Sequence, residues 1–401
     1  MSALPPLLPG QTLGVMGGGQ LGRMFVQSAQ RMGYRTVVLD PDADSPAGRV
    51  SETHLRFPYL APEGLRQLAA QCSAITTEFE NVPSQALAEL AQQRPVAPGA
   101  EAVAIAQDRA REKAHFLKCG VPVAPHQVIS QADQMASVPA SLFPGILKTT
   151  RLGYDGKGQI RVTHASELPA AWQTLQGNAT TPVTCVLEKM LPLAAECSVI
   201  VARGADGQQV HLPIQRNLHR EGILALTEVF PGTIDANFSQ QAIAAAQAVA
   251  AGLNYVGVLC VEFFLLAPGP DREALGPLVV NEMAPRPHNS GHYSQDACDV
   301  SQFELQVRCM AGLPLTAPRQ HSPALMLNLL GDLWFRSAEG APTEPPWDRV
   351  LALPGTHLHL YGKSSARPGR KMGHLNVTGA SPEAVRATAL QAAGLLGIAP
   401  F

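Results

Sequence analysis

The sequence predicts an α/β protein. It opens on a doubly wound parallel sheet and continues through a small middle unit into a mixed, strand-dominated C-terminal part. Three observations predict this. A short apolar run, Leu13 to Met16, leads into Gly17, Gly18, Gly19 and Gly22. Leu21, Met24, Phe25, Ala29 and Met32 then repeat at helical spacing, and a second apolar run from Thr36 ends at Asp40. Beyond Thr184, strand-like apolar runs dominate.

Gly33 stops the first helix, so the opening is a strand–helix–strand unit with a right-handed crossover expected. Alternation continues through Ile75–Phe79 and a helix after Pro83, and residues 1–108 read as one doubly wound domain. A helix from Arg109 to Cys119, closed by Gly120, opens a second unit over 109–187. There a strand at Gly145–Thr149 and another at Gln159–Val162 flank a glycine-rich loop. The third unit spans 188–401. Strands are expected at Thr184–Glu188, Cys197–Ala202, Val210–Pro213, Gly257–Leu266 and Leu278–Met283, with a helix near Ala242–Leu253. Residues 338–347 read as a surface loop, and His357–Tyr361 with His374–Val377 as a hairpin. Ser381 caps a last helix with Pro382 at its first position.

Composition excludes several classes. The apolar fraction of 46% is that of a globular protein, and 401 residues suffice for two or three cores. A net charge of −2 argues against a general nucleic-acid binder, which needs a basic excess. The seven cysteines include no CxxC pair and read as free thiols in a reducing compartment. The start has prolines and no basic run, so no signal peptide is expected, and no apolar run approaches the ~18 residues of a membrane helix. A cytoplasmic protein is the expectation.

Five segments carry chemistry. Gly17-x-Gly19-x-x-Gly22 with Asp40 downstream fits a dinucleotide fingerprint, and equally a tight strand-to-helix turn without a ligand. Lys148 followed by Gly153, Gly156, Lys157 and Gly158 fits a loop that closes over polyphosphate, or an ordinary glycine-rich hairpin; it is not a Walker loop. Glu262 and Glu282 end or interrupt apolar strands. Two such acids suggest a shared Mg²⁺, unless each pairs with a separate cation. Residues 284–292 are dense in polar side chains close to Glu282. Lys363 with Arg367, Arg370 and Lys371 makes a compact basic turn, a local anion site that the overall charge hides. No nucleophile elbow, HExxH or zinc spacing is present.

Together these segments resemble the ATP-grasp superfamily over nearly the whole chain, and within it the N5-carboxyaminoimidazole ribonucleotide synthetase family. The resemblance rests on Gly-Gly-Gly-Gln-Leu-Gly-Arg-Met at 17–24, Glu-Phe-Glu-Asn-Val at 78–82 and Gly-Tyr-Asp-Gly-Lys-Gly-Gln at 153–159. It rests equally on the segments at 217–224, 285–292 and 367–376. It implies an N-terminal Rossmann-like domain, a central lid and a C-terminal mixed sheet. It implies that Arg109 and Lys148 contact ATP, and that Gly153, Tyr154, Asp155, Gly156, Lys157, Gly158 and Gln159 cover the phosphates. Glu188, Lys189, Met190 and Leu191 would receive adenine, Glu196 the ribose, and His219 would lie near the nucleotide. Glu262 and Glu282 would hold Mg²⁺ beside Asn281. The glycine turn would then serve a ribonucleotide, with Gln20, Leu21 and Glu80 at its sugar and Lys363, Arg370 and Lys371 at its phosphate. Tyr154, Asp155, Lys157, Arg286, His288 and Asn289 would line the reacting space. The implied reaction takes ATP and bicarbonate to carboxylate aminoimidazole ribonucleotide, in a homodimer with no nucleic-acid or membrane partner. Formate-dependent glycinamide ribonucleotide transformylase is the near alternative, biotin carboxylase a weaker one. An NAD-dependent oxidoreductase or a non-catalytic nucleotide-binding regulator is the alternative of another class. The turn at 271–276 is longer than the family's usual one.

Overall fold

The computed structural model describes residues 5–151, 158–177, 180–335 and 342–401. Near the N-terminus, β1 (Thr12–Met16), β2 (Arg35–Leu39), β3 (Thr53–Leu55) and β4 (Ala74–Thr77) form a parallel sheet in the order β3-β2-β1-β4. β1 is buried on both faces, which is why its sequence is a continuous apolar run without alternation. One face is covered by α2 (Pro62–Gln71) and α3 (Ser84–Leu90), through Leu65, Leu68 and Leu87 against Leu39 and Ile75. The other face carries α1 (Gln20–Arg31), with Phe25 and Val26, beside Phe303 and Val307 from a helix more than 270 residues later. α4 (Ala100–Ala106) leads out of the domain.

The middle unit begins with α5 (Arg109–Lys118), whose first amides are accepted by the Asp108 side chain. β5 (His126–Ile129), β6 (Gly145–Thr149), β7 (Gln159–Val162) and β8 (Cys185–Lys189) pair antiparallel in the order β5-β8-β6-β7. α6 (Leu168–Gln176) packs Leu168 and Trp172 against Leu147 and Leu187. β8 runs on to Lys189, so this sheet closes beyond the expected residue 187.

The remainder builds a large sheet from β9 (Leu193–Arg203), β10 (Gln209–His211), β11 (Gln215–Arg220), β12 (Ile223–Val229), β13 (Gly257–Leu266), β14 (Leu278–Ala284), β15 (Ala324–Leu330), β16 (Thr356–Leu360) and β17 (Lys371–Thr378). Its order among the described residues is β14-β13-β9-β11-β12-β15-β17-β16, with β10 on β9. α7 (Ala236–Gly252) starts earlier than its alanine run suggested, because Asp235 caps it through the Asn237 and Phe238 amides. The long turn near 271–276 is a short helix, α8 (Pro270–Leu275). α9 (Ser294–Ala297), α10 (Gln302–Ala311), α11 (Trp347–Leu351) and α12 (Pro382–Leu396) complete the chain, and Ser381 caps α12 as expected. Of the expected surface loop, residues 338–341 lie outside the described residues, and Trp347 already begins α11.

α10 is the helix that reaches the N-terminal sheet, and it ties the two large domains together. Gln306 accepts from the Val258 amide at 2.7 Å and donates to the Thr76 hydroxyl at 3.0 Å. Gln302 accepts from the His288 amide and donates to the His288 carbonyl, both at 2.8 Å. The seven cysteines are free. No helix among the described residues is long and apolar enough to cross a membrane.

Candidate active site

A cleft of about 840 Å³ lies where the strand ends of the N-terminal sheet meet the small sheet and the β13–β14 pair. Its first wall is the glycine turn. Gly17 has φ +104°, a left-handed conformation that glycine takes without strain. The turn's amides are already occupied. Gly18 N donates to Asp40 Oδ2 at 2.7 Å, and Gly19 N and Gly22 N donate to the two Glu78 oxygens at 2.9 and 3.0 Å. Asp40 also accepts from the Tyr59 hydroxyl at 2.6 Å. Burial pushes the Glu78 carboxyl above its usual range, even though these amides favour its charge. A pyrophosphate entering here would meet two acids instead of free donors, which removes the dinucleotide reading of this motif. NAD titrated into the protein is therefore expected to give no saturable heat; micromolar affinity in calorimetry would contradict the assignment. Gln20, Leu21 and Glu80 are left on the cleft wall.

The second wall concentrates positive charge around one acid. Glu188 sits opposite Ile146 in the β6–β8 register, beside Lys148. Its carboxylate lies 2.9 Å from Lys148 Nζ, 3.3 Å from Lys113 Nζ and 3.6 Å from Arg109 Nη1. Burial opposes its charge, but Lys148, Lys113 and Arg109 together hold its pKa at about 2. Arg109 Nη2 also reaches Glu282 at 3.0 Å. Arg109, Lys148, Gly158 and Gln159 line the cleft. Gly153, Tyr154, Asp155, Gly156 and Lys157 lie outside the described residues.

The hinge segment is placed differently from the sequence expectation. Glu188, Lys189, Met190 and Leu191 are not among the lining residues. The Glu188 carboxylate is consumed by cations, the Lys189 ammonium pairs with Asp271 on α8, and Leu191 is buried with Leu266 and Val279. The side chains of Glu188, Lys189 and Leu191 thus serve the scaffold.

The third wall carries the two acids. Glu262 and Glu282 are direct cross-strand partners on β13 and β14, which puts both side chains on one face. Each also has a separate partner. Glu262 Oε1 lies 2.9 Å from His288 Nε2 and Oε2 lies 3.9 Å from His219 Nε2, whereas Glu282 pairs with Arg109. Against burial, His288 and His219 hold the Glu262 carboxyl at about 2. Beside them Asn281 Oδ1 is buried with no hydrogen-bond partner among the described residues. Two carboxylates and an unpartnered amide oxygen make a hard, oxygen-rich donor set of the kind Mg²⁺ takes. His219 contacts Glu196, which lies across the β9–β11 ladder beside it. Although burial opposes it, this contact and the charge of Glu262 raise the His219 pKa.

The fourth wall is the polar segment after β14 and the basic turn. Arg286 donates through Nε to the Glu80 carboxylate and through Nη1 to the Pro287 carbonyl at 3.1 Å. His288 Nδ1 meets Ser290 Oγ at 2.9 Å. Both amide atoms of Asn289 are buried without a partner among the described residues. Lys363 and Arg370, from the loop between β16 and β17, and Lys371, at the start of β17, line the cleft. Lys363 donates to the Lys371 carbonyl at 2.6 Å and Arg370 to the Ser365 carbonyl at 2.8 Å, which braces the segment internally.

Sequence reasoning missed Glu112, Lys113 and His292. Glu112 accepts from the Met283 amide at 2.7 Å, and burial carries its pKa up to about 8. Lys113 is fully buried against Glu188. Two adjacent charges in a helix look solvated in sequence, so nothing marked them. His292 was quoted within a motif without a role; it lines the cleft.

Known proteins match this arrangement throughout. The ribonucleotide synthetase preATP-grasp domain matches residues 10–107, the ATP-grasp domain 114–303, and the phosphoribosylaminoimidazole carboxylase C-terminal domain 324–388. The N5-carboxyaminoimidazole ribonucleotide synthase of Brucella melitensis is 40% identical over 92% of this chain and 96% of its own length. That of Bacillus subtilis is 38% identical over 92% of each. Among solved structures, an ADP complex of N5-carboxyaminoimidazole ribonucleotide synthetase superposes with TM-score 0.87 at 37% identity, covering 98% of both chains. The Aspergillus clavatus synthase in complex with ADP and 5-aminoimidazole ribonucleotide superposes with TM-score 0.82 at 30% identity, covering 96% of this chain and 98% of its own. Fold and cleft define an ATP-grasp ligase, an enzyme that uses ATP to join carbon to nitrogen. Within that class the chain belongs to the N5-carboxyaminoimidazole ribonucleotide synthase family of purine biosynthesis.

Proposed function

We propose that this one cleft carries the whole family reaction, with the nucleotide at the Lys148 end and the ribonucleotide at the basic turn. The observation that carries the reading is the Glu262–Glu282 pair, set between Lys148 and Arg109 on one side and Lys363, Arg370 and Lys371 on the other. Relatives solved with ADP and with ADP plus 5-aminoimidazole ribonucleotide support the same occupancy. Arg109 and Lys148 bind the ATP phosphates under the loop at 153–159, Gly158 and Gln159 included. The backbone of 188–191 receives adenine, Glu196 the ribose, and His219 stands near the nucleotide. Gln20, Leu21 and Glu80 hold the substrate sugar, and Lys363, Arg370 and Lys371 its phosphate. Three functional units are proposed: 1–108, a lid from 109 to the end of β8, and the remainder.

Bicarbonate attacks the γ-phosphate, forming carboxyphosphate and ADP; the exocyclic amine then bonds to the carboxyl carbon as inorganic phosphate leaves, and the nitrogen gives up a proton. Glu262, Glu282 and Asn281 would hold Mg²⁺, which would supply positive charge beside the transferring phosphoryl. Arg286 holds the bicarbonate-derived anion, with His288 beside it. The family resemblance assigns Tyr154, Asp155 and Lys157 to the same reacting space. Asn289 offers a neutral amide, which suits a neutral aromatic amine better than the cationic amine of glycinamide. The enzyme is further proposed to be a cytoplasmic homodimer working on small molecules alone. Near-neutral charge supports the absence of a nucleic-acid partner, and the family resemblance supports the dimer.

A coupled ADP assay in bicarbonate-depleted buffer tests the substrate assignment. Aminoimidazole ribonucleotide with restored bicarbonate is expected to stimulate ADP release, and formate with glycinamide ribonucleotide is not. Stimulation by the formate pair alone would overturn the assignment while leaving the ATP-grasp fold intact.

A further inference from the structure

We propose that the Glu80–Arg286 ion pair is a gate that keeps the bicarbonate subsite closed until the ribonucleotide is bound. The proposal rests on the reading above, in which Glu80 serves the substrate sugar and Arg286 the bicarbonate-derived anion. In the structure those two subsites are not independent. Arg286 Nε donates directly to the Glu80 carboxylate, joining the segment after β4 to the segment after β14 across 206 residues. Nη1 is occupied by the Pro287 carbonyl. Both side chains are largely withdrawn from water, 16% exposed for Arg286 and 30% for Glu80.

The pair is fully ionised at neutral pH. Burial opposes the Glu80 charge, but Arg286 in contact, with His288 nearby, holds its carboxyl at about 2. An anion arriving at Arg286 therefore meets a guanidinium already neutralised, with a carboxylate at contact distance. Like charges in a partly desolvated cleft repel strongly, so bicarbonate and an ion-paired Glu80 compete for one cation. Sugar hydroxyls resolve the competition without adding charge. They donate short charge-assisted hydrogen bonds to a carboxylate, and so draw Glu80 away and leave Arg286 open.

A ligand shifts an equilibrium only by its differential affinity for the two states, and here that difference is explicit. The ribonucleotide prefers Glu80 free, and bicarbonate prefers Arg286 free. Each ligand then raises the affinity of the other by the same factor. Carboxyphosphate formation is thereby coupled to the presence of the acceptor amine.

The test measures bicarbonate-dependent ADP release from the full-length enzyme, with and without aminoimidazole ribonucleotide, for wild type and Glu80→Gln. Wild-type release with both substrates present establishes the underlying reading. Its absence sinks that reading and, with it, the gate. Given that release, the gate requires Glu80→Gln to turn over ATP without the ribonucleotide faster than wild type, on the order of tenfold. An equal or lower rate overturns the gate alone. A second measurement needs no variant. In the presence of ADP, bicarbonate is expected to lower the calorimetric Kd of the ribonucleotide for wild type by a similar factor. A Kd indifferent to bicarbonate overturns the gate.

Discussion

Glu282→Ala is expected to lower ADP formation by about 10²–10³-fold, equivalent to about 2.7–4 kcal/mol of transition-state stabilisation. Glu282 faces Glu262 across the strand pair, beside the Asn281 oxygen, which has no hydrogen-bond partner among the described residues. Truncation takes one carboxylate from that donor set and also removes the partner of Arg109 at 3.0 Å. The fold is expected to survive, because the Glu282 side chain is 42% exposed and its loss opens no cavity. Mg²⁺ added with ADP should raise the Tm of the wild type and leave the variant unmoved. A folded variant with near-wild-type turnover at ordinary Mg²⁺, or with the same Mg²⁺-dependent Tm rise, would show that Glu282 is not a metal ligand.

The second large effect concerns stability in acid. His292 and His374 are fully buried, with ring centroids 4.6 Å apart, and His359 stacks on His374 at 4.5 Å and 8°. Burial drives the pKa values of both buried rings well below 6.5, assisted for His292 by His288, His359, Lys371 and Arg286. For His374, His292 and His359 act the same way, against the opposing charge of Asp296. Both rings are thus neutral in the folded protein. The unfolded chain takes up those protons as pH falls through about 6.5, and the folded chain does not. Stability from this pair is therefore present above pH 6.5 and lost below it, by up to about 1.4 kcal/mol per pH unit for each ring. Glu112 acts with the opposite sign between its unfolded value of 4.5 and about 8, because its folded form keeps a proton there. Glu78, which burial also raises, acts in the same direction as Glu112, so the contribution of the rings is read as a difference between variant and wild type. Urea unfolding between pH 6.5 and about 5 should give His374→Gln a stability-versus-pH slope lower than that of wild type by up to about 1.4 kcal/mol per pH unit. Identical slopes would mean that His374 is protonated in the folded state.

Much of this fold was legible because its signals are local. The strand at Gly257–Leu266 and the cap at Ser381 agree with the structure to the residue. β15 escaped notice because Asn328 interrupts its apolar run; that side chain is buried because it donates to the Leu224 carbonyl. α10 escaped for the same reason. Gln302 and Gln306 break its apolar pattern, and they are buried because they satisfy backbone and hydroxyl groups of other elements.

The candidate site divides in the same way. Residue types that line the cleft were readable from spacing and motif: Gly19 of the glycine turn, the acids at 262 and 282, and Lys363, Arg370 and Lys371 of the basic turn. Which charges neutralise one another was not. Glu78 and Asp40 fill the glycine turn, Glu188 gathers three cations instead of facing the cleft, and Arg286 meets Glu80. Turns, caps and periodicity depend on neighbours a few residues away, so the sequence by itself determined them. Charge pairing depends on distances of a few ångströms between groups hundreds of residues apart. Only the packing of the three units around one cleft sets those distances, and with them which charges are left for a ligand.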